Sequence, residues 1–142
     1  MVIGMQAHGI STGPGSAANN VTIGHQAQFH SSGSSNIAIG YRAGYTNQSS
    51  NNVFMGYAAG LYTTSATGTT FIGHQAGQGI TGTRLTGAGN TAVGYQAGLL
   101  LQGAATQNTL IGYTVGDAMT TGGYNVGAVS YTHLTLPTIY SV

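Results

Sequence analysis

The sequence predicts an all-β protein: a parallel β-solenoid of about seven short coils, each 16–21 residues long. Three observations lead to this fold class. A nine-residue unit recurs along the chain, its central glycine returns at intervals of 16–21 residues, and only 2% of the side chains are charged. An ordinary globular domain has about 25% charged residues, so this chain is built on a different plan.

The repeated unit reads Asn, a β-branched residue, a variable residue, an aliphatic residue, Gly, Tyr or His, a polar residue, Ala and Gly. A clear copy is Asn90-Thr-Ala-Val-Gly-Tyr-Gln-Ala-Gly98. The anchoring glycines are Gly4, Gly24, Gly40, Gly56, Gly73, Gly94 and Gly112. A constant core joined by loops of unequal length is typical of a solenoid whose insertions are confined to one side.

Each core is too short for a helix and rich in β-branched residues, so we expect a short strand bounded by glycines. Successive residues of a strand point to opposite faces. We predict that the two flanking positions fill the interior of the coil. These repeat-core residues are Val21, Ile23, Ile37, Ile39, Val53, Met55, Ile72, Val93 and Ile111.

The middle position of each strand then lies on the opposite face. It is occupied by Thr22, Ala38, Phe54, Phe71, Ala92 and Leu110. Burying a Phe or Leu side chain is worth about 1.5–3 kcal/mol, so an apolar outer face calls for a cover. Strands buried on both faces are typical of sandwiched parallel sheets. We therefore expect these six positions to form an interface between identical chains.

Other columns of the repeat have structural roles. The central glycine permits a tight corner or a close approach of two backbones. The leading Asn either bonds to turn backbone or stacks as an amide ladder between coils. The column of small residues leaves room for a neighbouring coil; it contains Ala27, Ala43, Ala59, Ala76 and Ala97.

The composition excludes several classes of function. A net charge of +1 provides no basic patch, so we expect no nucleic-acid partner. No apolar run approaches the roughly 20 residues of a membrane span, so we expect no membrane insertion. One carboxylate, Asp117, cannot supply a catalytic acid–base pair, and we expect the chain not to be an enzyme.

The repeat ends near Gly127, so we divide the chain into repeats over 1–127 and a separate tail over 128–142. The tail from Val129 to Thr138 resembles one reading frame of a transposase-type sequencing adapter, which indicates a non-native origin. Met1 lies inside a repeat unit, and the segment from Asn125 resembles the opening of another unit. We therefore expect a piece of a longer repetitive protein.

The unit at Asn90–Gly98 and its relatives resemble repeats of two fibrous families. One is the shaft of bacteriophage tail fibres, and the other is the β-roll head of trimeric autotransporter adhesins. The resemblance covers residues 1 to about 127 and implies a homotrimer. The 16–21-residue spacing and the Gly-Tyr-Gln-Ala-Gly wording are closer to the phage-type repeats, since autotransporter heads keep a shorter unit.

Candidate ligand contacts lie in the loops, because loops on a rigid scaffold often perform recognition. We single out Arg84 in the insertion 78–89, and Tyr45 and Tyr62 near loop starts, which stack on sugars or pack against the next coil. A second long loop runs from Gln6 to Asn19. Arg42 replaces a Gln in its column.

The histidines do not have the spacing of a metal site, and we expect no metal or other cofactor. His25 and His74 share a column with Tyr41, Tyr57, Tyr95 and Tyr113, which indicates a stacking position for either ring. In a threefold assembly, copies of His25 could also meet around an ion. His8 and His30 lie in loops, and His133 lies in the tail.

The function expected from the resemblance is a non-enzymatic structural or attachment segment of an extracellular trimeric fibre, on a virion or on a bacterial surface. Its partners would be further copies of the chain and a cell-surface glycan or protein receptor. The alternatives are an autotransporter adhesin head and an ice-binding β-solenoid. Ice binding needs a flat array, often of Thr, and we expect the Thr pairs at Thr63–Thr64 and Thr120–Thr121 to lie in unequal loops.

Overall fold

Residues 1–7 and 18–128 are described by a computed structural model of the single chain. Eight short strands form one sheet, in which neighbours are parallel and follow chain order. The strands are β1 (Val2–Ile3), β2 (Val21–Ile23), β3 (Ile37–Ile39), β4 (Val53–Met55), β5 (Thr70–Ile72), β6 (Thr91–Val93), β7 (Thr109–Ile111) and β8 (Val126–Ala128). The predicted parallel β-solenoid of about seven coils is confirmed.

Equivalent positions of the repeat are direct neighbours across the sheet. Val21 pairs with Ile37, and Ile37 pairs with Val53. The same register holds across the longest coil, where Thr70 pairs with Thr91. Extra residues between β5 and β6 therefore leave the sheet undisturbed and lie in the turns.

The central glycine of each unit lies where two coils come closest. A Cβ placed on Gly24 would lie 2.6 Å from the carbonyl oxygen of Gly40, and the same clash recurs along the column. These glycines also have φ values near that of Gly56, 132°, which side chains rarely adopt. Both roles proposed for the glycine, a tight corner and a close approach, are confirmed.

The leading Asn side chains form a buried ladder between coils. The Oδ1 of Asn20 accepts the backbone N–H of Asn36 at 2.8 Å, and the Oδ1 of Asn36 accepts that of Asn52 at 2.9 Å. Their amide groups also donate to turn carbonyls, as Asn36 does to Ser49. The two predicted roles of this Asn therefore occur together. Buried polar groups are satisfied in this way without any charge.

The assignment of the two strand faces is wrong in the sequence-based prediction. The middle positions, expected to be an outer interface, point into the coil. Their exposed fractions are zero at Thr22, Ala38, Phe54, Phe71 and Ala92, and 3% at Leu110. Side chains enclosed by their own coil cannot contact a sister chain.

The predicted repeat-core residues lie on the outside. All nine are partly or substantially exposed: Val21, Ile23, Ile37, Ile39, Val53, Met55, Ile72, Val93 and Ile111. In a three-residue strand, the middle side chain points to one face of the sheet and the two flanking side chains point to the other face. The coil is narrow, and it encloses only that middle side chain together with the alanine column, which is fully buried.

The inward column varies in size because the turns compensate. The ring of Phe54 fills the space beside Gly44, where an added Cβ would lie 2.5 Å from the ring. In the first complete coil the inward residue is the smaller Thr22, and Gln28 replaces the glycine. The Oγ1 of Thr22 donates to the Oε1 of Gln28 at 2.7 Å inside the coil.

The long coil between β5 and β6 adds to the core. Leu85, within the insertion, and Leu101 are fully buried in the same apolar cluster as Phe71. Leu85 also forms parallel bridges to Thr63 on one side and Gly103 on the other. The insertion 78–89 is therefore partly structural. Of the second long loop, residues 8–17, including His8, lie outside the described residues.

The last described strand, β8, includes Ala128, one residue beyond the predicted end of the repeats. The tail residues 129–142, including His133, lie outside the described residues.

Candidate interaction surface

The outward face of the sheet is an apolar array in two columns, which we call the outer face. One column contains Val21, Ile37, Val53, Thr70, Thr91 and Thr109, and the other contains Ile23, Ile39, Met55, Ile72, Val93 and Ile111. Ile111 is 47% exposed, Ile37 38% and Met55 37%. With about 4.8 Å between strands, the six strands that carry these columns, β2–β7, make a strip about 24 Å long. Its side chains are uncharged throughout.

The first column of the outer face changes character halfway along the chain. It is aliphatic in β2–β4 and becomes Thr70, Thr91 and Thr109 in β5–β7. These threonines are neighbours in register, each beside an Ile or Val. The sequence alone does not reveal this column as a surface feature, because the predicted strand faces put the flanking positions inside the coil.

A ladder of stacked rings follows the corner glycines. His25, Tyr41, Tyr57, His74, Tyr95 and Tyr113 stack in sequence, with ring centroids 5.0–5.5 Å apart and planes within 11° of parallel. The prediction that this column accepts either ring is confirmed. Because the inner rings have a neighbour on each face, mainly their edges and hydroxyl groups are left for other contacts. Tyr113 at one end is 63% exposed.

Polar residues that follow the stacked rings form a ladder in two stretches, which is interrupted at Ala58. The Nε2 of Gln26 donates to the Oε1 of Gln6 at 2.9 Å, and the Nε2 of Gln96 donates to the Oε1 of Gln75 at 2.8 Å. At Arg42 the Nε donates to the Oε1 of Gln26 at 2.7 Å. Arg42 thus joins the ladder in the place where other coils have Gln.

The predicted loop contacts fall into two places. Tyr45 packs against the preceding coil, stacked on Phe29 with the ring centroids 5.7 Å apart, and the guanidinium carbon of Arg42 lies 5.2 Å from the centre of its ring. Tyr62 lies beside the insertion, where its carbonyl accepts the N–H of Leu85 at 3.1 Å. The neighbouring Arg84 is exposed. The structure thus places Tyr45 beside Arg42, and Tyr62 beside Leu85 of the insertion.

The described residues contain no cluster of metal-ligating side chains. No group of three or more His, Cys, Asp or Glu side chains comes together within residues 1–7 and 18–128. Asp117 is exposed, and its Oδ1 accepts the N–H of Ala118 at 2.8 Å, as in a turn. His25 belongs to the stacked ladder. In the same ranges, no helix has the length and apolar character needed to cross a membrane.

Comparison of the chain with protein-family models, with curated proteins and with solved structures finds no match. The surface features of the described residues that can contact a partner are the outer face, the ring ladder and the surroundings of Arg42.

Proposed function

We propose that this chain is a non-enzymatic structural segment of a homo-oligomeric fibre that supports or performs attachment to a cell surface. The observation that carries the proposal is the outer face: a continuous, uncharged, half-exposed array on a regular rod. Contiguous apolar patches of this kind on soluble proteins mark sites of interaction. We therefore still expect an interface between identical chains, but we place it on the flanking positions of the strands and not on the middle positions.

The regular spacing of the outer face favours a second copy of the chain as its binding partner. The apolar side chains recur at each strand, about 4.8 Å apart along the rod. A partner that matches them over the whole length needs the same repeat, and another copy of this chain has it. The number of three chains rests on the resemblance to tail-fibre shafts and autotransporter heads.

A fibre of this kind functions through its length and rigidity and not by catalysing a reaction. The in-register Asn and ring ladders connect each coil to the next. An extracellular location, on a virion or on a bacterial cell, follows from the phage-type resemblance. An autotransporter head is the alternative, and it requires the same assembly.

Sedimentation velocity on the purified chain tests the assembly. We expect a mass three times that of one chain. Ile39→Asp, which puts a charge at the middle of the outer face, should reduce the assembly to monomers while the far-ultraviolet circular dichroism spectrum is retained, because a buried unpaired charge is costly.

Gln48→Asp is the matched control, since Gln48 is exposed in a turn and the same charge there should leave the assembly intact. A folded wild-type chain that remains monomeric at high concentration contradicts the proposal, and so does an Ile39→Asp variant that assembles normally. Binding of the labelled oligomer to intact bacteria then distinguishes an attachment segment from a spacer.

A second candidate function is ice binding, favoured by one observation. Thr70, Thr91 and Thr109 form a column in register on the flat outer face, next to an aliphatic column. Thermal hysteresis measured on the chain tests this candidate. Activity that is lost in Thr91→Asp would support ice binding over fibre assembly, and no hysteresis in the wild type would exclude it.

A further inference from the structure

The coils of β2 and β3 contain a local group of aromatic side chains around one cation. Phe29 stacks on Tyr45, and His30 meets both rings edge to face, with centroids 4.7 Å and 5.0 Å away. The guanidinium carbon of Arg42 lies 5.3 Å from the ring centre of Tyr41 and 5.2 Å from that of Tyr45. We call these residues the Arg42 cluster.

The charge of Arg42 has no carboxylate partner within the described residues. The sole acidic residue of the sequence is Asp117, which follows β7, whereas Arg42 follows β3. A half-buried cation without a counter-ion is costly, and contacts with two aromatic rings offset this cost only in part. Gln would fill the same place in the ladder with no charge, as Gln26, Gln75 and Gln96 do in other coils.

The guanidinium is held in place with its outer donors free. Its Nε is occupied by Gln26, at 2.7 Å. In the part of the chain that the structure describes, the two terminal nitrogens of Arg42 have no hydrogen-bond partner. These two nitrogens form the end of the guanidinium fork that binds a carboxylate with two parallel hydrogen bonds.

Further polar groups of the cluster are also available. The hydroxyl groups of Tyr41 and Tyr45 and the ring nitrogens of the exposed His30 have no hydrogen-bond partner among the described residues. Aromatic side chains with free hydroxyl groups, next to a fixed cation, offer hydrogen bonds and apolar contact to a ring that bears hydroxyl groups and an acid.

We propose that the Arg42 cluster is a binding site for the carboxylate of an acidic saccharide. The terminal nitrogens of Arg42 donate two parallel hydrogen bonds to the carboxylate, and Tyr41, Tyr45 and His30 contact the sugar hydroxyl groups. The site is formed by two neighbouring coils of one chain, so the proposal does not depend on the assembly described above.

A nuclear magnetic resonance titration of the full chain tests the site with a matched pair of probes. Methyl glucuronide and methyl glucoside differ only in having a carboxylate or a hydroxymethyl group at the same carbon. We expect methyl glucuronide to shift the side-chain N–H signal of Arg42, with saturation at about 10 mM or below. Methyl glucoside should bind about tenfold more weakly or not at all, because charge-assisted hydrogen bonds are the stronger kind.

Arg42→Gln is the decisive variant, since it restores the residue type found elsewhere in the column and should not lower the melting temperature. It should lose glucuronide binding, whereas Arg84→Gln, which removes the other arginine, should retain it. Equal binding by wild type and Arg42→Gln would overturn the proposal, as would equal binding of the two glycosides.

Sodium acetate separates a saccharide site from a simple anion site. If acetate shifts the Arg42 signal at the same concentrations as methyl glucuronide, the sugar ring adds nothing and the saccharide assignment is wrong. If acetate is about tenfold weaker, the aromatic residues contribute as proposed. Absence of any shift with methyl glucuronide at about 100 mM overturns the site altogether.

Discussion

The inward and outward faces of the same strands follow different rules. The inward column contains Thr, Ala, Phe and Leu, which differ greatly in volume, yet every member is buried. The outward columns contain mostly β-branched residues of nearly equal size and remain partly exposed. The interior tolerates variation because a turn residue such as Gly44 or Gln28 adjusts to each inward side chain. In this chain, side-chain volume is therefore nearly constant on the outer face and variable in the core.

Substitution at two adjacent positions gives the largest expected contrast between the faces. Phe54→Asp should unfold the central coils, because loss of a buried Phe costs about 3–5 kcal/mol and the carboxylate is left unpaired. Met55→Asp should retain the fold, since Met55 is 37% exposed. Thermal melting followed by circular dichroism measures both. A Phe54→Asp variant that melts like the wild type would contradict the inward placement.

The corner glycines provide the next largest effect. Gly56→Ala places a Cβ against the carbonyl oxygen of Gly73, at a φ of 132°. We expect a loss of about 1–3 kcal/mol from overpacking and a similar amount from backbone strain. Gly82→Ala is the control, because nothing lies within 4 Å of its added Cβ. Urea denaturation compares the two, and equal stabilities would show that the coils can separate at the corner without cost.

The Asn ladder contributes less at each step. Asn52→Ala removes the acceptor of the Thr69 backbone N–H, which is bonded at 2.9 Å, and leaves a buried donor unsatisfied. We expect a loss of about 1–3 kcal/mol in urea denaturation. Thr81→Ala, in the exposed part of the insertion, should change stability by less than about 0.5 kcal/mol. Similar values for both variants would indicate that water replaces the ladder bond.

The smallest expected effect is a gain in stability. The ladder is interrupted where Thr69 replaces Asn, and the Oγ1 of Thr69 is buried without a partner. Thr69→Asn places an amide oxygen next to Asn90 and should add about 0.5–1.5 kcal/mol. Asn36→Thr introduces a second interruption and should have the opposite sign. If Thr69→Asn is destabilising, the space around position 69 does not accommodate the longer amide side chain.

Much of the fold can be predicted from the sequence because equivalent positions of successive repeat units are also neighbours across the sheet. The anchor glycines, the Asn column and the ring column all lie in the relations that the alignment of units predicts. The insertion 78–89 was correctly placed outside the sheet. Its buried Leu85 was missed, since no other unit contains an equivalent residue to compare with it.

The candidate sites were predicted less well. The sequence indicates Tyr45 as a candidate loop contact and Arg42 as a departure from Gln in its column. Arg42 and Tyr45 lie in the same turn, and Phe29 is the equivalent of Tyr45 in the preceding unit, so the repeat spacing places the three residues near one another. The side-chain orientation that holds the guanidinium carbon 5.2 Å from the Tyr45 ring centre is decided only in the tertiary structure. Arg84 remains exposed, without a hydrogen bond from its side chain among the described residues.

The sequence by itself determined that this chain is a stack of parallel strands, which residues are neighbours from coil to coil, and that both faces of each strand are apolar. Only the tertiary structure decided which face is enclosed. Alternation along a strand is symmetric, so it separates two sets of side chains without saying which is inside. The direction in which the chain turns after the corner glycine decides that question, and it encloses the single middle side chain while the flanking pair remains outside.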